Sequence, residues 1–207
     1  MTPGADTDER DAAHDCAAHD AGAAGNEGWG PFSSLPGNPL MWILIVSELA
    51  VFGAALAGYA GVRLRDPQGF VAAQDTLNRI AGAANTAVLL TSGLFAALAV
   101  EARRALRRGR ARWLLMAAGA LGVVFLVVKG VEYARELGAG FDIDSHPFFT
   151  FYYLITGFHA AHVVLGVIIL ALVARFDSFE NYETGAAFWH MVDLVWIVIF
   201  PCLYLMR

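Results

Sequence analysis

Charged residues are scarce in this sequence: Lys, Arg, Asp and Glu together form 16% of its 207 residues. A soluble domain usually carries about a quarter of such residues, so the composition argues against one. Cysteine is scarcer still, and Cys16 and Cys202 lie in such different surroundings that we expect no disulfide. The hydrophobic blocks also lack alternation of polar and apolar residues. Residues 114–128 are continuously apolar, which excludes a membrane β-barrel.

Long apolar blocks are abundant instead, and 57% of all residues are hydrophobic. A helix needs about 20 apolar residues to cross a bilayer. Five blocks meet this requirement, at approximately residues 40–60, 80–102, 113–131, 148–174 and 186–206, here called spans 1 to 5. They predict an all-α integral membrane protein with a five-helix transmembrane bundle, in which successive antiparallel helices pack side by side.

The start of the chain differs in composition from the rest. Residues 1–35 are rich in Ala, Gly and Asp and cannot bury enough apolar surface to offset the entropy of ordering. We predict a disordered acidic cytoplasmic tail at residues 1–35 and a membrane domain at residues 36–207. The net charge of −5 belongs to the tail, because seven acidic residues and one basic residue precede residue 39.

The distribution of arginine predicts how the bundle is oriented in the membrane. With five spans, the tail shares one side with the loops that follow spans 2 and 4. The loop after span 2 and its adjoining helix ends carry six arginines: Arg103, Arg104, Arg107, Arg108, Arg110 and Arg112. Short loops rich in Arg and Lys remain in the cytoplasm. We therefore expect the N-terminus inside and the C-terminus outside.

Several ionisable residues lie within or beside the spans. Such residues are costly in a bilayer, and each is a functional-site hypothesis by default. They form a predicted polar cluster of six residues: Glu48, His159, His162, Glu183, His190 and Asp193. From the rise of about 1.5 Å per residue, Glu48, His162 and Asp193 each lie roughly 10–12 Å from the cytoplasmic side. We expect these three side chains to face the bundle interior.

The polar cluster could have one of three roles, the first of which is to bind a heme or a metal ion. Facing histidines could hold a heme, and His159, His162, His190 and Glu48 could hold a metal. However, di-iron bundles repeat Glu-x-x-His on two helices, and no such motif occurs here. The second role is mutual hydrogen bonding that fixes helix packing, and the third is lipid-headgroup binding or help with proton movement. We predict no catalytic residue, no metal site and no cofactor, with phospholipid as the one candidate ligand.

Span 3 contains two opposite charges, Lys129 and Glu132, three residues apart and hence on one face of the helix. Either charge alone would be costly near the outer end of the bundle, whereas together they share hydrogen bonds. We therefore predict an ion pair between them. The alternative is that Lys129 extends alone to the membrane interface.

Small and aromatic residues indicate how the helices pack. Residues 81–84 and 91–93 are small, which lets span 2 approach its neighbours closely. Four aromatic residues near span ends are predicted as interfacial anchors: Trp42, Trp113, Trp189 and Tyr204.

Four motifs resemble those of subunit III of the heme-copper oxidase superfamily, the cytochrome c oxidase subunit III family. Residues 47–52 resemble the family's Ser-Glu-x-x-x-Phe segment. Residues 129–133 resemble its Gln-x-x-Glu-Tyr segment, with Lys129 in place of Gln. Residues 156–163 and 189–196 are similar to its Thr-Gly-x-His-x-x-His-Val and Trp-His-x-x-Asp-x-x-Trp segments. The motifs occur in the family's order, and the resemblance covers residues 36–207.

The resemblance implies an accessory subunit without hemes or copper of its own. Subunit III of this family packs against the catalytic subunit, holds lipids in a cleft and supports the proton-uptake side during turnover. Glu48 would be the family's carbodiimide-reactive membrane glutamate. The implied partners are a catalytic heme-copper subunit and membrane lipids, with no nucleic acid. The implied location is the bacterial inner membrane, and we expect no catalysis by this chain alone.

The resemblance leaves the branch of the family open. Larger members have seven helices, and this chain resembles a form without the first two. Its five spans, Lys129 and its ending at residues 199–204 are more similar to the NorE-type accessory branch of nitric oxide reductase, which acts in denitrification. The alternative is subunit III of a cytochrome c or quinol oxidase in aerobic electron transport. A remote alternative is a stand-alone metal-binding membrane enzyme or transporter.

Overall fold

The computed structural model describes residues 39–176 and 179–206, with side chains over residues 42–176 and 181–206. The predicted acidic tail at residues 1–35 lies outside the described residues. Within them, the ordered elements are helices, and the last continues into a π-helical turn. Their bounds are α1 Pro39–Arg63, α2 Pro67–Thr76, α3 Arg79–Arg104, α4 Arg108–Gly138, α5 Pro147–Arg175, α6 Phe179–Phe200 and the π-helical turn Pro201–Leu205.

Five helices in the described parts of the chain are long and apolar enough to cross a membrane. They are α1, α3, α4, α5 and α6 with its π-helical turn, so the five predicted spans are confirmed. The short helix α2 was not predicted, because its ten residues are too few and too polar to resemble a span. α2 nevertheless buries Phe70 and Gln74 at one end of the bundle.

Local sequence explains where several helices begin and end. Pro67 and Pro147 occupy first positions of α2 and α5, where a missing N–H costs nothing. The Asn78 side chain caps α3 by accepting a hydrogen bond from the Ala81 N–H at 3.0 Å. α4 ends before Gly140, whose φ of 87° lies in the left-handed region that glycine adopts without strain.

Helices α3, α4, α5 and α6 form a four-helix bundle in which each packs against two others. Helix α1 lies outside this bundle against α5, with the Phe52 and Phe158 ring centroids 5.2 Å apart. Side-by-side packing of successive spans is therefore confirmed for spans 2 to 5 and wrong for spans 1 and 2. The cause is α2, which extends about 15 Å between them and inserts Phe70 beside Tyr59 and Phe148.

Contacts at the two ends of the bundle show that spans 1 and 5 run in the same direction and span 2 in the opposite one. At one end, the Arg63 guanidinium after span 1 donates to the Met206 carbonyl after span 5 at 2.7 Å. At the other end, Arg104 at the end of span 2 meets Glu183 at the start of span 5, 2.8 Å away. This alternation fits a chain that crosses a membrane five times.

Trp189 lies at the centre of the bundle, fully buried between two glycines. A Cβ atom added to Gly122 on α4 would lie 2.5 Å from the indole ring, and one added to Gly166 on α5 would lie 2.6 Å from it. The indole N–H donates to the Ser92 hydroxyl at 3.0 Å. Trp189 and the equally buried Tyr204 are therefore core residues. Their prediction as interfacial anchors was wrong, because position near a span end does not fix the direction of a side chain.

The end of the chain is attached to α2 through a buried amide. Pro201 has no N–H to donate within the helix, and the backbone changes there from α-helix to a π-helical turn. The Gln74 amide nitrogen donates to the Leu203 carbonyl at 2.9 Å and lies 3.4 Å from the Cys202 carbonyl and from the Tyr59 hydroxyl. Gln74 thus connects α1, α2 and the π-helical turn.

Asp66 caps α2 at the surface and also contacts the loop before α5. Its side chain accepts a hydrogen bond from the Gly69 N–H at 3.0 Å and lies 3.3 Å from Nε2 of His146. The Gly69 hydrogen bond, followed by the His146 contact, holds the pKa of the Asp66 carboxyl below its ordinary value. The ionised carboxylate therefore stabilises the folded protein.

Asp66→Asn should lower the melting temperature at neutral pH and have progressively less effect in acid. Because the folded-state pKa is depressed, the stabilisation by Asp66 is fully present above the unfolded-state pKa and is lost as pH falls through the folded-state pKa. The measurement is the melting temperature of both proteins in detergent across the acid range. Asp144→Asn, in the exposed loop before α5, is the control. A difference between wild type and Asp66→Asn that persists unchanged at the lowest pH would contradict this cause.

Candidate functional site

Lys129 and Glu132 meet near one end of α4, where both side chains are buried, at 3% and 8% exposure. The Lys129 Nζ lies 3.4 Å from Oε2 of Glu132. Lys129 also donates to the Tyr152 hydroxyl at 3.0 Å and to the Tyr204 hydroxyl at 2.8 Å. Both tyrosines in turn donate to Oε1 of Glu132, at 2.7 and 2.5 Å. The structure thus brings the predicted ion pair together within a four-residue network.

This network, Lys129–Glu132–Tyr152–Tyr204, joins three separate elements. Lys129 and Glu132 come from α4, Tyr152 from the beginning of α5 and Tyr204 from the π-helical turn. The ammonium also lies 4.7 Å from the centre of the Tyr152 ring, within range of a cation–π interaction. Since Lys129 is buried, its extension alone to the interface is excluded. No local pattern predicts that the two tyrosines belong to this network, because they lie far from Lys129 and Glu132 along the chain.

Glu48 and His162 form a second pair, between α1 and α5. Oε2 of Glu48 lies 3.0 Å from Nε2 of His162, and both side chains are partly exposed. Nδ1 of His162 lies 2.8 Å from the Phe158 carbonyl, an oxygen that can only accept a hydrogen bond. The contact brings the Glu48 carboxyl beside the His162 imidazole, although Oε2 of Glu48 has no hydrogen-bond partner among the described residues.

His159 has a different partner from His162, although both lie on α5 and both rings contact Phe52. Its imidazole is fully buried and stacks on Trp196 with ring centroids 5.0 Å apart. Neither ring nitrogen has a hydrogen-bond partner among the described residues. His159 therefore belongs to the interior of the four-helix bundle, whereas His162 points toward α1.

Asp193 lies between α6 and α3, far from the Glu48–His162 pair. Its residue is 5% exposed, and its carboxyl packs directly against the Gly93 backbone of α3. His190, one turn earlier on α6, is exposed. Glu183 pairs with Arg104 at the bundle end.

The six residues predicted as one polar cluster therefore occupy four places in the structure. Glu48 and His162 form a pair at the edge of the bundle, and His159 is buried within it. Asp193 and His190 lie on the α3–α6 seam, and Glu183 lies at one end. Asp193 is the middle residue of the helical span Asn181–Leu205. The common depth expected for Glu48, His162 and Asp193 stays a prediction.

Side chains of the types that bind metal ions are dispersed over the described part of the chain. In the described ranges, no group of three or more His, Cys, Asp or Glu side chains is placed to hold a metal ion. The heme and metal alternatives gain no support from this geometry. The expectation that the chain binds no metal or cofactor remains a prediction.

Five apolar helices, each long enough to cross a bilayer, define a multi-pass integral membrane protein. The model of the family described as Cytochrome c oxidase subunit III matches residues 41–207, which include spans 2 to 5 and nearly all of span 1. The chain belongs to this family.

Similar proteins come from bacteria, archaea and algae. The chain is 29% identical to the "Cytochrome c oxidase subunit 3" of Thermostichus vulcanus, over 79% of this chain and 84% of that protein. It is 35% identical to the "Cytochrome c oxidase subunit 3" of Prototheca wickerhamii, over 58% of this chain and 48% of that protein. It is 29% identical to the "Heme-copper oxidase subunit I+III" of Aeropyrum pernix, over 86% of this chain and 24% of that protein. The chain therefore spans half or less of the length of several of its relatives.

Proposed function

We propose that this chain is a non-catalytic subunit III of an oxygen-reducing heme-copper oxidase in a bacterial inner membrane. The observation that carries the proposal is the family match over residues 41–207, which reaches every membrane-spanning helix. Its partners are then the catalytic heme-copper subunit and membrane phospholipid. The N-terminus lies in the cytoplasm and the C-terminus outside, which the six arginines between spans 2 and 3 support.

The names of the similar proteins favour oxygen reduction over the nitric oxide reductase branch. Relatives that this chain covers over most of their length are described as cytochrome c oxidase subunit 3 or probable cytochrome c oxidase subunit 3. Of the two branches considered from the sequence, subunit III of an oxygen-reducing oxidase is therefore better supported than the NorE-type branch. A NorE-type role in denitrification stays a prediction without further support.

A structural role for the ionisable residues is the simplest interpretation of their contacts. Lys129 and Glu132 are joined by two tyrosine hydroxyls, so the four-residue network ties α4, α5 and the π-helical turn together without free charge. The direct contact between Glu48 and His162 likewise joins α1 to α5. Such contacts hold a subunit in one shape and need no heme or metal.

The proposal is tested by the optical spectrum of the tagged chain prepared in two ways. Purified from the membranes of its own organism, the chain should carry along heme in fixed proportion. Expressed alone in a foreign membrane, it should show no Soret band and no stoichiometric copper or iron. A Soret band from the chain expressed alone would contradict the non-catalytic role. Absence of heme from the native preparation would contradict the partner.

A further inference from the structure

The connection between α3 and α4 carries more positive charge than the side chains around it neutralise. Residues 103–112, here called the arginine loop, contain six arginines and no acidic residue. Glu101 and Glu183 both contact the same guanidinium, that of Arg104, at 3.2 and 2.8 Å. Three further arginines are exposed and form no ion pair or side-chain hydrogen bond with the described residues: Arg107, Arg110 and Arg112. Their positive charge is available to a ligand.

The arginine loop also surrounds a helix end that is itself positive. α4 begins at Arg108, and Arg107 in the preceding position gives it no side-chain cap. Its first turn contains no acidic residue. The dipole and the unpaired N–H groups at the start of a helix attract negative charge, which acidic or capping side chains usually supply. Here the helix end adds to the positive charge of the arginines instead of being offset by the sequence.

The position of the apolar block in α4 places these charges at the level of lipid headgroups. The block begins at Trp113, five residues after the start of α4, or about 7.5 Å at 1.5 Å per residue. A bilayer has a hydrocarbon core of about 30 Å within a total of about 40–45 Å, so each headgroup layer measures roughly 5–8 Å. The first turn of α4 therefore lies at the depth of the lipid phosphates.

Two large apolar side chains are exposed beside the arginines. Trp113 is 76% exposed and lies three residues after Arg110, hence on the same helix face. Leu106 is 78% exposed, and its φ of 59° lies in the left-handed region, where a leucine is strained and a glycine is not. Tryptophan is enriched at the boundary between headgroups and hydrocarbon. Water can solvate the arginines but not these side chains, whereas a phospholipid can contact both.

We propose that the arginine loop is a binding site for anionic phospholipid, whose phosphate groups contact the exposed arginines while its acyl chains lie beside Trp113. A headgroup with net negative charge, such as that of phosphatidylglycerol, is preferred to a zwitterionic one. The reason is that the ammonium of a zwitterionic headgroup would be repelled by the same arginines. This inference goes beyond the proposed function and does not depend on which oxidase the chain serves.

The first test titrates phosphatidylglycerol into the purified chain in detergent and follows the rise in melting temperature. Arg110→Gln/Arg112→Gln should weaken binding roughly thirtyfold, since each arginine near an anionic membrane contributes about a factor of five. Arg65→Gln/Arg135→Gln removes the same charge from exposed positions at the opposite end and should leave binding unchanged. Without lipid, both double variants should melt like wild type, because all four side chains are exposed.

Phosphatidylcholine and inorganic phosphate are the control ligands, and neither should stabilise wild type as phosphatidylglycerol does. Equal stabilisation by phosphatidylcholine would overturn the preference for an anionic headgroup. Equal stabilisation by inorganic phosphate would show that the arginines bind an anion without the lipid. Equal weakening of phosphatidylglycerol binding by the two double variants would overturn the site, because the effect would then follow total charge and not position.

The second test locates the lipid by fluorescence quenching in phosphatidylcholine discs. Phosphatidylglycerol brominated on its acyl chains near the headgroup should quench Trp113 more than phosphatidylcholine brominated at the same carbons. Comparison with Trp113→Phe separates this residue from the other tryptophans. Arg110→Gln/Arg112→Gln should abolish the difference between the two lipids. Equal quenching of wild type by both lipids would show only ordinary boundary lipid at this surface and would overturn the inference.

Discussion

Glu132→Gln should destabilise the protein far more than Lys129→Gln. Removing one partner of a buried ion pair costs about 3–5 kcal/mol, because it leaves the other charge uncompensated. Without the Glu132 carboxylate, the Lys129 ammonium contacts only neutral tyrosine hydroxyls and ring faces, and the Glu136 carboxyl acts on it without a direct contact. Without the ammonium, the carboxylate still accepts hydrogen bonds from Tyr152 and Tyr204, and a Gln at position 129 can donate in place of lysine. The measurement is thermal or denaturant unfolding of the purified chain.

The double variant distinguishes a coupled network from two independent residues. In a coupled network, Lys129→Gln should relieve part of the damage caused by Glu132→Gln, so the effects of the single variants do not add. Tyr204→Phe and Tyr152→Phe, which remove one hydroxyl each, should lie between wild type and Glu132→Gln. Equal losses for Lys129→Gln and Glu132→Gln with simple additivity would show that the four residues do not act together.

Adding one methyl group beside Trp189 should be the other strongly destabilising change. Gly166→Ala places a Cβ atom 2.6 Å from the indole, and Gly122→Ala places one 2.5 Å from it. Both distances are well inside van der Waals contact, and Trp189 is fully buried with its N–H bonded to Ser92. Overpacking of this kind costs about 1–3 kcal/mol. Each variant should melt lower than wild type, and the double variant should melt lowest.

Gly119→Ala on the same helix is the matched control. Gly119 is also buried, yet an added Cβ atom would meet nothing within 4 Å. Alanine favours a helix over glycine, so this variant should melt at the wild-type temperature or above it. If Gly119→Ala and Gly122→Ala have equal effects, the cause is helix propensity and the Trp189 packing is not responsible.

The fold could be predicted where composition alone determines it. Continuous apolar blocks of about 20 residues require membrane-spanning helices, and the five spans lie close to their predicted positions. The packing of span 1 on α5 could not be predicted, because it depends on α2. That helix contributes its buried face through Phe70 and Gln74, two residues within a mostly polar segment.

The sites could be predicted only where both partners are close in sequence. Lys129 and Glu132 are three residues apart, and helical geometry alone suggests their contact. Tyr152 and Tyr204, which complete that network, come from other helices, and no local pattern marks them. For the same reason, helical position identified His159 and His162 as neighbours along α5 but not their different partners, Trp196 for His159 and Glu48 for His162.

As the proposed subunit of an oxygen-reducing heme-copper oxidase, this chain should purify together with oxygen-reducing activity. The most direct measurement is gas consumption by the complex purified through a tag on this chain, supplied with reduced cytochrome c or quinol. We expect the complex to consume oxygen in a reaction that cyanide inhibits, with hemes and copper in the partner subunit. Consumption of nitric oxide without oxygen reduction would contradict this role and would favour the NorE-type branch instead.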